Sequence, residues 1–133
     1  MVFMEWTPEL SVGVQEIDDQ HKKLIEIVNR AHEVNLTEEK EKGGDILSEL
    51  IEFVRVHFTT EEKYFEKCKY PGAEEHIAEH VKLTQKVLEF KTKYDAGECN
   101  CEEFLNFLKV WLVEHLKTMD QKYVENFRVC GLK

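Results

Sequence analysis

Three short pairs of residues in this chain have the types and spacings to hold metal. They are His57 with Glu61 in H-F-T-T-E, His76 with His80 in H-I-A-E-H, and His115 with Asp120 in H-L-K-T-M-D. A further candidate, His21, stands upstream in D-D-Q-H. Five of the six histidines thus fall into one pattern with two carboxylates. That is more than one mononuclear site can use, and it is the right inventory for two irons sharing two bridging carboxylates. On a helix, residues i and i+4 differ by about 40° around the axis and about 6 Å along it, so both side chains aim at one point. The first two pairs meet that condition. His115 and Asp120 are i+5, about 140° apart on a regular helix, which predicts a visible irregularity near 116–120.

These residues need helices to position them, and the hydrophobic periodicity supplies four. Residues 1–17 lack helical periodicity and read as an ordered arm, in which Trp6, Leu10 and Val12 can pack on a core. A first helix is predicted over roughly 19–36, with Asp18 as its N-cap and a stripe of His21, Leu24, Ile25, Val28 and His32. Thr37 caps a second helix over roughly 38–66. Its Gly43-Gly44 step costs about 2 kcal/mol relative to Ala-Ala, so the helix has reason to start afresh at Asp45. A third helix is expected over roughly 73–95. The fourth, over roughly 101–127, opens on an Asn100/Glu103 capping box. Short connections between four such helices make an all-α, up-down-up-down antiparallel four-helix bundle, read as one domain spanning 1–133. Each candidate ligand lies on the apolar stripe of its helix, and a polar group inside a core needs a partner. His32 shares His21's face but lies about 16 Å further along, so it reads as structural. Glu62 falls off the stripe and reads as solvated, and Tyr64 and Tyr123 read as core.

Composition narrows the function. A chain of 133 residues can bury about two-thirds of its unfolded surface unaided. A net charge of −9 argues against nucleic-acid and anionic-membrane partners. No run of 18 apolar residues is present, so no membrane span is expected. The start, M-V-F-M-E-W-T-P, has neither a basic nor an apolar leader region, so a cytoplasmic location and free thiols at Cys68, Cys99, Cys101 and Cys130 are expected. Cys99-x-Cys101 is too isolated to be a metal site. The acidic surface and the lack of an apolar outer stripe favour a monomer.

The same residues resemble the hemerythrin family, of the single-domain bacterial type, across nearly the whole chain. The arm W-T-P-E-L-S-V-G-V-Q-E-I-D-D-Q-H and the segments H-F-T-T-E-E, Y-P-G-A-E-E-H-I-A-E-H and W-L-V-E-H-L-K-T-M-D-Q-K-Y are similar to its motifs, and no ligand position is missing. The i+5 spacing is itself part of the family pattern. The resemblance implies that His76, His80 and His115 bind one iron, that His21 and His57 bind the other, and that Glu61 and Asp120 bridge both together with an oxo or hydroxo group. Leu112, Trp111 and Phe58 match positions of its oxygen pocket. The first iron would then be closed and the second open to dioxygen, which implies reversible oxygen binding by a non-enzyme. The expected role is an oxygen carrier or local store supplying an oxygen-consuming enzyme. Oxygen, nitric-oxide or redox sensing, or iron storage, is the alternative use of the same site.

The ligand types separate this reading from two others. Di-iron oxidases use Glu-x-x-His motifs and four carboxylates, whereas no histidine here follows a glutamate by three residues. H-I-A-E-H is also an inverted zinc-protease motif with Glu79 as base, but that leaves His21, His57, His115 and Asp120 unexplained.

Overall fold

The computed structural model describes residues 3–34, 36 and 38–133. It is an all-α four-helix bundle, with no strand among the described residues. The helices are α1 (Gln15–Glu33), α2 (Lys40–Lys67), α3 (Ala73–Asp95) and α4 (Cys101–Lys117), followed by a 3-10 turn (Asp120–Tyr123) and a short α5 (Val124–Cys130). No helix among the described residues is long and apolar enough to cross a membrane.

The arm is fastened at two points. Asn29 exchanges two hydrogen bonds with the backbone of Met4, each 2.8 Å. Asp18 accepts from the Ser11 hydroxyl at 2.6 Å and the Val12 amide at 2.8 Å. Asp18 is therefore not the N-cap of α1. Its lone pairs are taken by the arm, and the helix begins three residues earlier at Gln15. Leu10, Val12 and Val14 are buried beside it.

α2 runs through Gly43-Gly44 without restarting at Asp45. The reason lies across the bundle. A Cβ on Gly43 would strike the Tyr94 hydroxyl, which donates to the Leu36 carbonyl at 2.7 Å. Glycine stands there for space, and the tyrosine closes the turn that enters the helix. The Thr37 cap lies outside the described residues. Asn100 does cap α4, accepting from the Glu103 amide at 3.1 Å.

The main core lies between the four helices, with Phe90 of α3 stacked on Phe104 of α4. A second cluster gathers Val12, Val14, Ile17, Phe65, Tyr123 and Phe127 at the end of the bundle where α2 finishes. One sequence expectation needs correction. No cysteine among the described residues is free: Cys68 is bonded to Cys130 and Cys99 to Cys101. Cys68 and Cys130 are 62 residues apart, and only the fold brings their Cα atoms to 5.6 Å. The free thiols expected to accompany a cytoplasmic location are therefore not found. On α3, Val81 and Leu88 stand half-exposed seven residues apart.

Candidate metal centre

Each helix delivers its polar residues to one level of the bundle. α1 brings His21, α2 brings His57 and Glu61, the first turns of α3 bring His76 and His80, and α4 brings His115 near its end. α4 then stops. Thr118 leaves helical geometry at φ −114° and ψ −71°, and the chain re-enters a 3-10 turn at Asp120. The predicted irregularity is present, as a break and a tighter turn rather than a π-type widening. It turns the i+5 residue back toward the core, where Asp120 is fully buried.

All seven side chains are 5% exposed or less. Asp120 spans two sets of imidazoles. Its Oδ1 lies 3.1 Å from His76 Nε2 and 3.0 Å from His115 Nε2, and its Oδ2 lies 3.1 Å from His21 Nε2. Glu61 Oε1 does the same, at 3.1 Å from His80 Nε2 and 3.4 Å from His57 Nε2. The ligand atoms form two groups, Glu61 with His76, His80 and His115, and Glu61 with His21 and His57, each within 4.8 Å internally. Glu61 Oε1, both Asp120 oxygens, His21 Nε2 and His80 Nε2 are buried without hydrogen-bond partners. Atoms this close but not aligned as donor and acceptor aim at shared points instead of at each other. Neighbouring corners of an octahedron with bonds of about 2.1 Å lie about 3.0 Å apart. The donor set therefore suits a non-haem di-iron site.

The protonation states agree with that fit. Burial works to raise Asp120, but His115, His21 and His76 outweigh it and hold the carboxyl well below its usual range. Burial and the Asp120 charge push Glu61 up, and His57, His80 and His21 bring it below its ordinary value. Burial pulls His57 down to about 4, so its ring is neutral near pH 7. Burial also pulls at His21 and His80, but the carboxylates beside them leave both raised. Those are the rings a cation would relieve of a proton.

Three residues that the sequence reading left out of the site support it. Gln20 Oε1 lies 2.7 Å from His57 Nδ1. Glu62 Oε2 lies 2.9 Å from His80 Nδ1, so Glu62 is not simply solvated. In each case the oxygen accepts the Nδ1 proton and leaves Nε2 with its lone pair toward the centre. Tyr123, assigned to the core, donates from its hydroxyl to Glu61 Oε2 at 2.5 Å. Burial first, then the Asp120 and Glu61 charges, push Tyr123 well above its usual value, so it stays a donor. Glu79 is outside the cluster and pairs with Lys82. His32 is exposed and stacks on Phe3, away from the centre.

A family profile described as the hemerythrin HHE cation binding domain matches residues 12–126. The chain belongs to the hemerythrin family. A bacteriohemerythrin of Methylococcus capsulatus is 34% identical over 125 residues, 92% of this chain and 95% of that protein. A hemerythrin-like protein of Naegleria gruberi is 36% identical over 118 residues, 89% of this chain and 88% of its own. A crystal structure of wild-type hemerythrin has a TM-score of 0.87 at 34% identity, covering 92% of this chain and 96% of that one. Membership of the hemerythrin family supports a di-iron domain that binds or senses oxygen.

Around this hemerythrin centre the three pocket candidates take different places. Leu112 is buried in the main core. Trp111 stacks on the His115 ring, with centroids 4.4 Å apart, and Phe58 stacks on His80 at 3.7 Å. A groove of about 270 Å³ touches the centre from outside, lined by Glu79, Trp111, Glu114, His115, Thr118 and Met119.

Proposed function

We propose that this chain binds dioxygen reversibly at a non-haem di-iron centre held by His21, His57, Glu61, His76, His80, His115 and Asp120. Its role is to carry or locally store oxygen for an oxygen-consuming enzyme. The observation that supports this most is the asymmetry of the buried cluster. Three imidazoles group with Glu61 on one side and two on the other, so the two-imidazole side offers one protein ligand fewer. Two irons with an oxo or hydroxo bridge would supply the electrons for a reversible transfer to oxygen.

The protein's own part is exclusion and orientation. Trp111 and Phe58 lay apolar rings on His115 and His80, and Leu112 belongs to the apolar core that Phe58 and Trp111 join, an arrangement that would limit water at the site. Gln20, Glu62 and Tyr123 hold ligand atoms in place. Two carboxylates with five histidines, rather than four carboxylates, favour binding over oxidase chemistry, so we read the chain as a non-enzyme.

The test is an optical spectrum of the anaerobically reduced, iron-loaded protein before oxygen, after oxygen and after degassing. A visible charge-transfer band that appears with oxygen and vanishes on degassing is the expected result. Immediate irreversible oxidation with no such band would overturn reversible binding and move the protein to the sensing or oxidase reading.

A further inference from the structure

We infer that Cys99–Cys101 is a thiol–disulfide exchange site, a function separate from the metal centre and independent of the oxygen-binding reading. The pair sits where α3 has ended and α4 begins. Fourteen residues of helix separate Cys101 from His115, about 21 Å at 1.5 Å per residue. The inference comes from comparing the two disulfides.

Cys68–Cys130 spans 62 residues and joins the end of α2 to the end of α5. Cross-linking so long a span removes much freedom from the unfolded chain, and that alone accounts for it. Cys99–Cys101 has a sequence separation of 2 and closes almost no loop. It adds little by the same argument, so stability does not explain it.

Its surroundings suit exchange. Cys99 is half-buried and borders an open groove of about 340 Å³, while Cys101 is buried and borders a separate groove beside Phe3 and Leu36. The groove offers two lysines, Lys86 and Lys93, and three glutamates, Glu89, Glu98 and Glu103, with Phe104 and Phe107 as apolar wall. That mixture of both charges and apolar wall fits a small zwitterionic thiol of the glutathione type. An incoming thiolate reaches Cys99 first. The sulfur that must then depart is Cys101, the first residue of α4 after its Asn100 cap. The positive end of the helix dipole favours a thiolate there. Cys68 and Cys130 stand at the C-terminal ends of α2 and α5, where the dipole opposes one.

The chemistry balances with a thiol as reductant. A thiolate attacks Cys99 Sγ, the Cys99–Cys101 bond breaks, and its electron pair leaves on Cys101 Sγ. A second thiolate attacks the outer sulfur of the mixed disulfide, forming the small-molecule disulfide and releasing Cys99 as thiolate. Two thiols lose two electrons in total, and their two protons end on Cys99 and Cys101. The small-molecule disulfide drives the reverse.

The experiment uses the full-length, iron-loaded protein in buffers of graded glutathione to glutathione-disulfide ratio, followed by alkylation and peptide mass spectrometry. Cys99 and Cys101 should open together at a reducing ratio at least ten-fold lower than Cys68 and Cys130. In C101S, glutathione should remain trapped on Cys99, at least ten-fold more than on Cys101 in C99S. Opening of Cys68–Cys130 first, or of both pairs together, would overturn the inference, as would equal trapping in the two variants. The wild-type titration requires no substitution, so a misfolded variant does not remove the test.

Discussion

His80 and His57 are backed differently, and the difference is chemical. His80 Nδ1 faces the carboxylate of Glu62, whereas His57 Nδ1 faces the neutral amide of Gln20, itself donating to Thr60 at 3.2 Å. A carboxylate behind an imidazole makes it a stronger donor to a cation than an amide does. Glu62→Gln keeps an acceptor oxygen at similar size but removes the charge. It should weaken iron binding about 10- to 100-fold with the fold intact, read by competition with a coloured chelator and by circular dichroism. Unchanged affinity would mean that the His80–Glu62 contact orients nothing. This role is not legible in the sequence. Spacing within one helix reveals that His57 and Glu61 share a face, and likewise His76 and His80. Glu62 lies about 100° further round α2 than Glu61, and only the position of α3 tells whether its carboxylate meets water or His80. Gln20 and Tyr123 were hidden for the same reason, since each acts through a residue on another element.

Among the elements, α2 and α4 depart most from what local preference dictates. The i+5 spacing announced the break after α4, because a regular helix could not aim both His115 and Asp120 inward. The course of α2 through Gly43-Gly44 was not legible, because the compensating contact comes from Tyr94, far along the chain. The two glycines should therefore respond oppositely to alanine. At Gly44 a Cβ meets nothing within 4 Å, so Gly44→Ala should stabilise by about 0.5–1 kcal/mol through helix propensity alone. At Gly43 the Cβ collides with the Tyr94 hydroxyl and crowds Leu36 at 3.0 Å. Gly43→Ala displaces the hydroxyl from the Leu36 carbonyl and should cost about 1–3 kcal/mol, more than propensity returns. Urea unfolding of the two variants reads the sign directly. Two stabilised variants would show that Tyr94 yields at no cost and does not explain the first glycine.

Across the whole molecule, the bundle and the burial of the histidine and carboxylate cluster were legible in helical periodicity, whereas the disulfides were not, because sequence distance says nothing of which helix ends meet. Cys68–Cys130 ties the end of α2, the helix of Glu61, to α5, which follows directly on the 3-10 turn that holds Asp120. Glu61 lies seven residues before Cys68 on α2, and Asp120 lies ten residues before Cys130. Between them run the Tyr123–Glu61 hydrogen bond, the contacts of Phe65 with Tyr123 and Phe127, and the Asn126 contact with the Cys68 carbonyl. Opening the staple leaves α5 and the Asp120 turn held against the end of α2 by the Tyr123 and Asn126 hydrogen bonds and by the packing of Phe65 on Tyr123 and Phe127. The double variant C68S/C130S should lose about 2–4 kcal/mol of stability, measured by denaturant unfolding of the metal-free protein. If the staple also holds the Asp120 turn closed over the centre, the loaded variant should release iron to a chelator several-fold faster than the unaltered protein. A stability loss with an unchanged release rate would assign the bond to the fold alone, because the second cluster of Val12, Ile17, Phe65, Tyr123 and Phe127 would then keep the turn in place without it.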